Sequence, residues 1–178
     1  MSRYVALLRG IGPVNPAMRN EHLRRVVEGL GYGGVRTVIS SGNVVFDAPV
    51  GDAAAFEAQL EAAWPAQLGF TSTTIVRTRD EIDATIASAP FGDREDTKAS
   101  SLQVTFLKHE PEEPLVPFAS ALGDFEVIAV RDRTIYSVID ETGKPPGLLR
   151  VLERQLGKAM TTRSWTSVHR IARTMAGS

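Results

Sequence analysis

Val35-Arg36-Thr37-Val38-Ile39-Ser40-Ser41-Gly42-Asn43-Val44-Val45-Phe46 carries two runs rich in β-branched residues around a small polar turn. Each run suits a strand, and Ser40-Ser41-Gly42 has the composition of a tight turn, so two strands succeed each other here with no helix between them. Upstream, Tyr4-Val5-Ala6-Leu7-Leu8 is an unbroken apolar run, expected to be a strand buried on both faces. Asn15 is placed to cap a helix with Pro16 at its first position, and Leu23, Val26, Val27 and Leu30 then form one apolar stripe closed by Gly31. Downstream, Asp52 caps a helix with Phe56, Leu60, Ala63 and Trp64 facing inward; Pro65 is expected to end or kink it, and residues 73–78 read as a fourth strand. The order is β-α-β-β-α-β, the split arrangement called ferredoxin-like.

The second half repeats this grammar with different letters. Thr78 and Glu81 have capping-box spacing, opening a helix that holds Ile82 and Ile86. Residues 102–106 alternate as a half-buried strand, and Leu115, Val116, Phe118, Ala119 and Leu122 predict a short helix stopped by Gly123. A hairpin over 126–130 and 134–139, a loop over 143–147, a helix on Leu148, Leu152 and Leu156, a closing strand over 159–162 and a last helix capped by Ser164 complete the pattern. The expected fold class is α+β: two ferredoxin-like subdomains, 1–78 and 99–178, joined by a linking helix and loop over 79–98.

Composition narrows the chemistry. The 178 residues are 43% hydrophobic and 23% charged with no cysteine, which excludes disulfides, iron–sulfur clusters and thiolate nucleophiles. No apolar run approaches a membrane span, and the chain enters a strand-like run at Tyr4, so the expectation is a cytoplasmic protein with no leader and no membrane partner. The net charge of −1 hides a division: residues 1–78 carry +1, residues 79–143 carry −8, and residues 144–178 carry +6. Sixteen of the twenty basic residues are arginine, the side chain suited to bidentate recognition of carboxylate or phosphate.

Gly10 to Asn15 reads G-x-G-x-x-N between a strand and a helix. A dinucleotide fingerprint needs a third glycine and an acidic residue after the second strand, and both are missing, so no cofactor is expected. The remaining feature is a glycine-bearing turn at a helix N-terminus, a setting in which free N–H groups receive an anion, with Arg9 beside it. Ser41, Gly42 and Asn43 form a second donor-rich turn. His22, His109 and His169 are too scattered for a metal motif or a hydrolytic triad, so no metal is expected. The aromatic spacing of an RNA-recognition sheet is absent.

The stretch from Tyr4 to Ile11, then Leu30-Gly31, Thr37 to Phe46, Pro90-Phe91, Val104 to Leu107 and Thr161-Thr162-Arg163-Ser164-Trp165 resembles the family called domain of unknown function 1697. Two places depart from the family pattern: the loop after Gly10 is shorter, and Ser164 stands where the family has asparagine. The resemblance implies a bacterial protein with two ferredoxin-like subdomains, and it implies no activity. The expected function is a non-catalytic module that binds an anionic small molecule or nucleic acid through Arg9, Gly10, Gly12, Asn15, Ser41, Gly42, Asn43, Arg163 and Trp165. Two alternatives stand beside it. One is a phosphate-metabolite hydrolase of acylphosphatase-like layout, with Arg9 holding phosphate and Asn43 orienting water; the other is a structural or interaction protein.

Overall fold

The computed structural model describes residues 1–143 and 147–177 and is a mixed α+β protein with two antiparallel sheets and, among the described residues, five α-helices. The chain divides into two compact units, residues 1–84 with 167–178, and residues 85–166.

In the first unit, β1 (Ser2–Leu8) is central, with every residue from Tyr4 to Leu8 buried. It pairs with β3 (Asn43–Ala48) on one side and β4 (Thr74–Thr78) on the other, and β2 (Gly33–Thr37) pairs with β3, giving the order β2-β3-β1-β4. Helices α1 (Asn20–Gly29) and α2 (Ala53–Leu68) cover one face of this sheet, burying Leu23, Val26, Leu60 and Trp64 against Tyr4, Ala6, Leu8 and Phe46. The start expected at Pro16 is a 3-10 turn, Pro16–Met18, whose cap is Asn15; α1 begins only at Asn20. Nor does Pro65 end α2. It sits in the last stretch of the helix, and Gly69, with φ +76°, stops the chain. The missing N–H of Pro65 removes a single bond near the terminus, which a sixteen-residue helix absorbs.

Strand β4 is an edge, and α2 closes it. Glu57 accepts from the Val76 amide at 2.9 Å and Glu61 from the Thr74 amide at 2.8 Å, so carboxylates one helical turn apart occupy two outward N–H groups that would otherwise invite another strand. The capping box forms as expected: Thr78 N donates to Glu81 Oε2 at 2.8 Å, and Glu81 N donates to Thr78 Oγ1 at 3.1 Å, opening α3 (Arg79–Ala87).

The second sheet has the order β6-β7-β8-β5-β9, from β5 (Ser100–Leu107), β6 (Phe118–Ala119), β7 (Phe125–Arg131), β8 (Thr134–Asp140) and β9 (Met160–Ser164). The hairpin joining β7 to β8 turns on Asp132 and Arg133, both at positive φ, the signature of a two-residue type I′ turn. Helix α4 (Leu148–Leu156) buries Leu148 and Leu152 on Phe125, Val127, Ile135 and Met160. The expected helix over 115–122 is not formed; the chain there has no regular structure before the two-residue β6 and turns at Ala121 and Leu122. Pro117 explains why, since it pushes Val116, the residue before it and inside the expected helix, out of the α region. Of the loop over 143–147, Lys144, Pro145 and Pro146 lie outside the described residues. Helix α5 (Trp165–Ala176) comes directly after β9, and its Val168, Ile171 and Met175 are fully buried.

Candidate functional site

At the C-terminal end of β1 the backbone is clamped from both sides. Leu8 N donates to Gly42 O and Arg9 N to Thr73 O, each at 2.9 Å, while Ser72 Oγ donates to Arg9 O at 2.7 Å. Arg9 thus leaves the sheet from a fixed point, half-buried, and Gly10, exposed at φ +72°, turns the chain away. Asn15 N bonds back to Gly12 O, and Asn15 Oδ1 accepts from Ala17 N at 3.0 Å, so the Asn15 carboxamide oxygen caps the 3-10 turn. The N-cap of α1 is Arg19, which makes no side-chain capping bond. The N–H groups of the first turn of α1 therefore lack the side-chain oxygen that a serine or aspartate would supply.

The turn over 38–43 is locked onto this loop. Gly42 stands at φ +77°, and a Cβ there would lie 2.8 Å from Ile11 Cγ1 and 3.0 Å from Leu8 Cβ; the contact is as close as two chain segments can make it. Asn43 is 1% exposed, and its amide donates to Val38 O at 2.9 Å and to Ser41 Oγ at 3.0 Å. These bonds hold Ile39 at φ +60°, an unfavourable setting for a β-branched residue that costs of order 1–3 kcal/mol. A further bond from Asn20 Nδ2 to Ile39 O, 3.2 Å, ties the strained residue to the start of α1.

The structure thus brings Arg9, Gly10, Ser41, Gly42 and Asn43 together in the first unit, and divides their roles. Gly42 and Asn43 build the turn, and Asn43 is enclosed, its amide bonded to Val38 O and Ser41 Oγ. Arg9, the backbone of Gly10 and Gly12, and the partly exposed Ser41 remain at the surface. Arg163 and Trp165 belong to the second unit. The Arg163 guanidinium, 7% exposed, donates through Nη1 to Thr161 Oγ1 at 2.7 Å and to Thr162 O at 2.9 Å, and burial pulls its pKa down to about 10. Trp165 sets its ring edgewise on Phe91, centroids 5.1 Å apart, and Phe91 does the same on Tyr136 at 5.9 Å. In both, the polar or aromatic group is engaged by its own unit. Among the described residues no group of histidine and carboxylate side chains could hold a metal ion, and no helix is long and apolar enough to cross a membrane.

Sequence reasoning missed an ion pair at the opposite end of β1. Arg3 meets Asp47 in a fork, Nε to Oδ1 at 2.8 Å and Nη2 to Oδ2 at 2.9 Å, while Nη1 donates to Met175 O at 3.1 Å. The hydrogen bonds from Arg3 hold the Asp47 carboxyl below the usual carboxylate range. A cavity of about 630 Å³ opens beside this pair, with Tyr4, Gly51, Thr78 and Arg79 on its walls. Its only sequence signal was a charged residue on each of two neighbouring strands.

A family model described as "Protein of unknown function (DUF1697)" matches residues 1–136; the stretch from Thr161 to Trp165 lies beyond the match. The chain is also similar to the conserved bacterial protein SP0830 from Streptococcus pneumoniae, at 18% sequence identity, with 99% of each chain covered and a TM-score of 0.76. That likeness is one of fold. No curated protein matches the sequence.

Proposed function

The chain belongs to the family of proteins of unknown function DUF1697, and from that premise we propose that it is a cytoplasmic bacterial binding protein, built of two variants of the ferredoxin-like unit, that holds an anionic ligand on the loop after β1. The supporting observation is the locked pair of segments: the 38–43 turn is seated on the β1–α1 loop through Gly42, with Arg9 fixed at the rim and the first turn of α1 left without a side-chain cap. Backbone donors held in place need no reordering when an anion arrives, and a guanidinium beside them adds a charge-assisted bond. The strain at Ile39 is consistent with a turn kept in shape for a purpose beyond folding. Arg9, Ser41 and the backbone of Gly10 and Gly12 offer positive charge and N–H and O–H donors, the groups that hold an anion.

Backbone amide spectra of the protein titrated with inorganic phosphate, a nucleoside triphosphate and a short single-stranded RNA test the reading. The amides of Gly10, Gly12 and Ser41 should shift with at least one of these, and Arg9→Ala should weaken that binding by about tenfold or more, the worth of one charge-assisted hydrogen bond. A steep loss of binding with added salt would mark the polyanion as the better ligand. If no probe moves those amides, or if Arg9→Ala binds as well as the parent chain, the site is not there.

A further inference from the structure

The second unit carries a cavity of about 910 Å³ that the anion-binding reading does not use. One wall is the last turn of α4, with Gln155 and Leu156; the other is the segment after β5, from His109 to Val116, and Leu107 and Phe118 also line it. Its apolar lining is an extension of the unit's core: Leu115, Phe118 and Leu156 pack on the buried cluster yet remain partly exposed, and Val116 is 66% exposed.

The wall is also stiff. Pro111, Pro114 and Pro117 recur every third residue and each fixes its own φ, in a segment that bends at Glu112 and Glu113. A partner binding here would find the wall already in shape and lose little entropy in ordering it. The charges lining the cavity are of one sign, Glu110, Glu112 and Glu113, with neither lysine nor arginine among them. Glu110 lies 3.9 Å from Arg133, while Glu112 and Glu113 are exposed and pair with no described residue. Nucleic acid and anionic lipid are repelled by such a rim, and a cation is drawn to it.

We propose that this groove seats a basic peptide segment of a partner protein, an apolar side chain entering between Leu115 and Leu156 while flanking lysines or arginines meet Glu112 and Glu113. The test uses the full chain and fluorescein-labelled peptides of alternating lysine and leucine around one tryptophan, read by anisotropy at low and high salt. The lysine peptide should bind about tenfold or more tighter than its glutamate analogue, and salt should weaken it. The exposed pair E112K/E113K should abolish that preference while leaving phosphate-induced shifts at Gly10 intact, so that failure here and failure of the anion site are told apart. Three results would overturn the proposal. One is equal binding of both peptides; another is undiminished binding when glycine replaces the peptide tryptophan, or full displacement by spermine, either of which leaves a bare cation site. The third is self-association of the parent chain that E112K/E113K removes, which would make a second copy the occupant.

Discussion

The two sheets share a strand order and differ in the segment that comes after the first strand. With β6 set aside, β7-β8-β5-β9 corresponds position by position to β2-β3-β1-β4. After β1 comes a helix whose Leu23, Val26 and Val27 close the core of the first unit; after β5 comes a proline-spaced segment that forms no helix. In the first unit that helix closes one face of the sheet, and the openings lie at the two ends of β1: the loop at Gly10 and the polar cavity beside Arg3 and Asp47. The second is left open beside α4, with core side chains partly exposed in a cavity. One topology thus offers two kinds of surface, and the segment after the first strand, helical or not, decides which.

If the first core is closed over by its helix and the second is left open, deleting a side chain should cost far more in one than in the other. Trp64 is fully buried, stacked on Phe70 and bonded through Nε1 to Thr74 Oγ1 at 2.9 Å. Trp64→Ala should lose about 3–5 kcal/mol of stability in urea unfolding. Leu156, half-buried at the cavity wall, should lose only about 1 kcal/mol on truncation to alanine, because less of it leaves water on folding. Equal losses would break the distinction.

A second contrast separates a glycine that packs from one that only turns. Gly42 and Gly123 have nearly the same φ, +77° and +70°, but a Cβ on Gly123 would meet nothing within 4 Å. Gly123→Ala should cost about 1 kcal/mol for the left-handed backbone alone. Gly42→Ala adds the collision with Ile11 and Leu8 and should cost about 2–3 kcal/mol, the range of an overpacked core. It should also move the amides of Gly10 and Ser41 in the absence of any ligand, since the turn must lift off the loop.

What the sequence disclosed was local. The Thr78–Glu81 box, the Asp52 cap, the stripe from Leu23 to Val27 and the turn between β7 and β8 all depend on residues within a few positions of each other, where spacing alone fixes geometry. The helix expected at 115–122 shows the limit of that logic: its apolar residues have helical spacing, but Pro117 disfavours the helical backbone at Val116 that the spacing presumes. Asn43 was visible as a turn residue, yet not as a buried bracket for Val38, because its burial comes from strands that pack only once the sheet exists. Arg3 and Asp47 are 44 positions apart, and the Glu57 carboxylate reaches Val76 across 19, distances over which no periodicity runs. The candidate site was legible as a list of residues and illegible as a division of labour.

Capping offers a smaller test on the same contrast. Thr78→Ala removes the reciprocal bond to Glu81 and should cost about 1 kcal/mol. By comparison α4 begins at Gly147 with no side-chain cap, so Gly147→Asp should gain a few tenths of a kcal/mol if its side chain accepts from the first turn of α4. Such a gain would also have to outweigh the contact of a new carboxylate with Asp124, whose Oδ2 already accepts from Gly147 N at 2.7 Å. A net loss would show that repulsion between the two carboxylates outweighs the added cap.

An effect that depends on pH is electrostatic, and it rests on one rung of the first sheet. The second rung of the β1–β3 ladder is Arg3 opposite Asp47; the second rung of the β5–β8 ladder is Ser101 opposite Ile139, which carries no charge. Because Arg3 lowers the Asp47 pKa on folding, the unfolded chain binds that proton first as pH falls. The stabilisation is complete above the ordinary carboxylate range and is lost as pH drops through the lower, folded value. Both side chains are partly exposed, so the pair contributes no more than about 1 kcal/mol at neutral pH. Asp47→Asn keeps the shape against Gly34 and removes the charge. Its deficit in urea unfolding should be present near neutrality and shrink toward zero below about pH 3. A deficit that persisted in acid would mean that the variant loses through its amide NH2, which faces the Arg3 guanidinium where a carboxyl oxygen accepted a hydrogen bond, rather than through the missing charge.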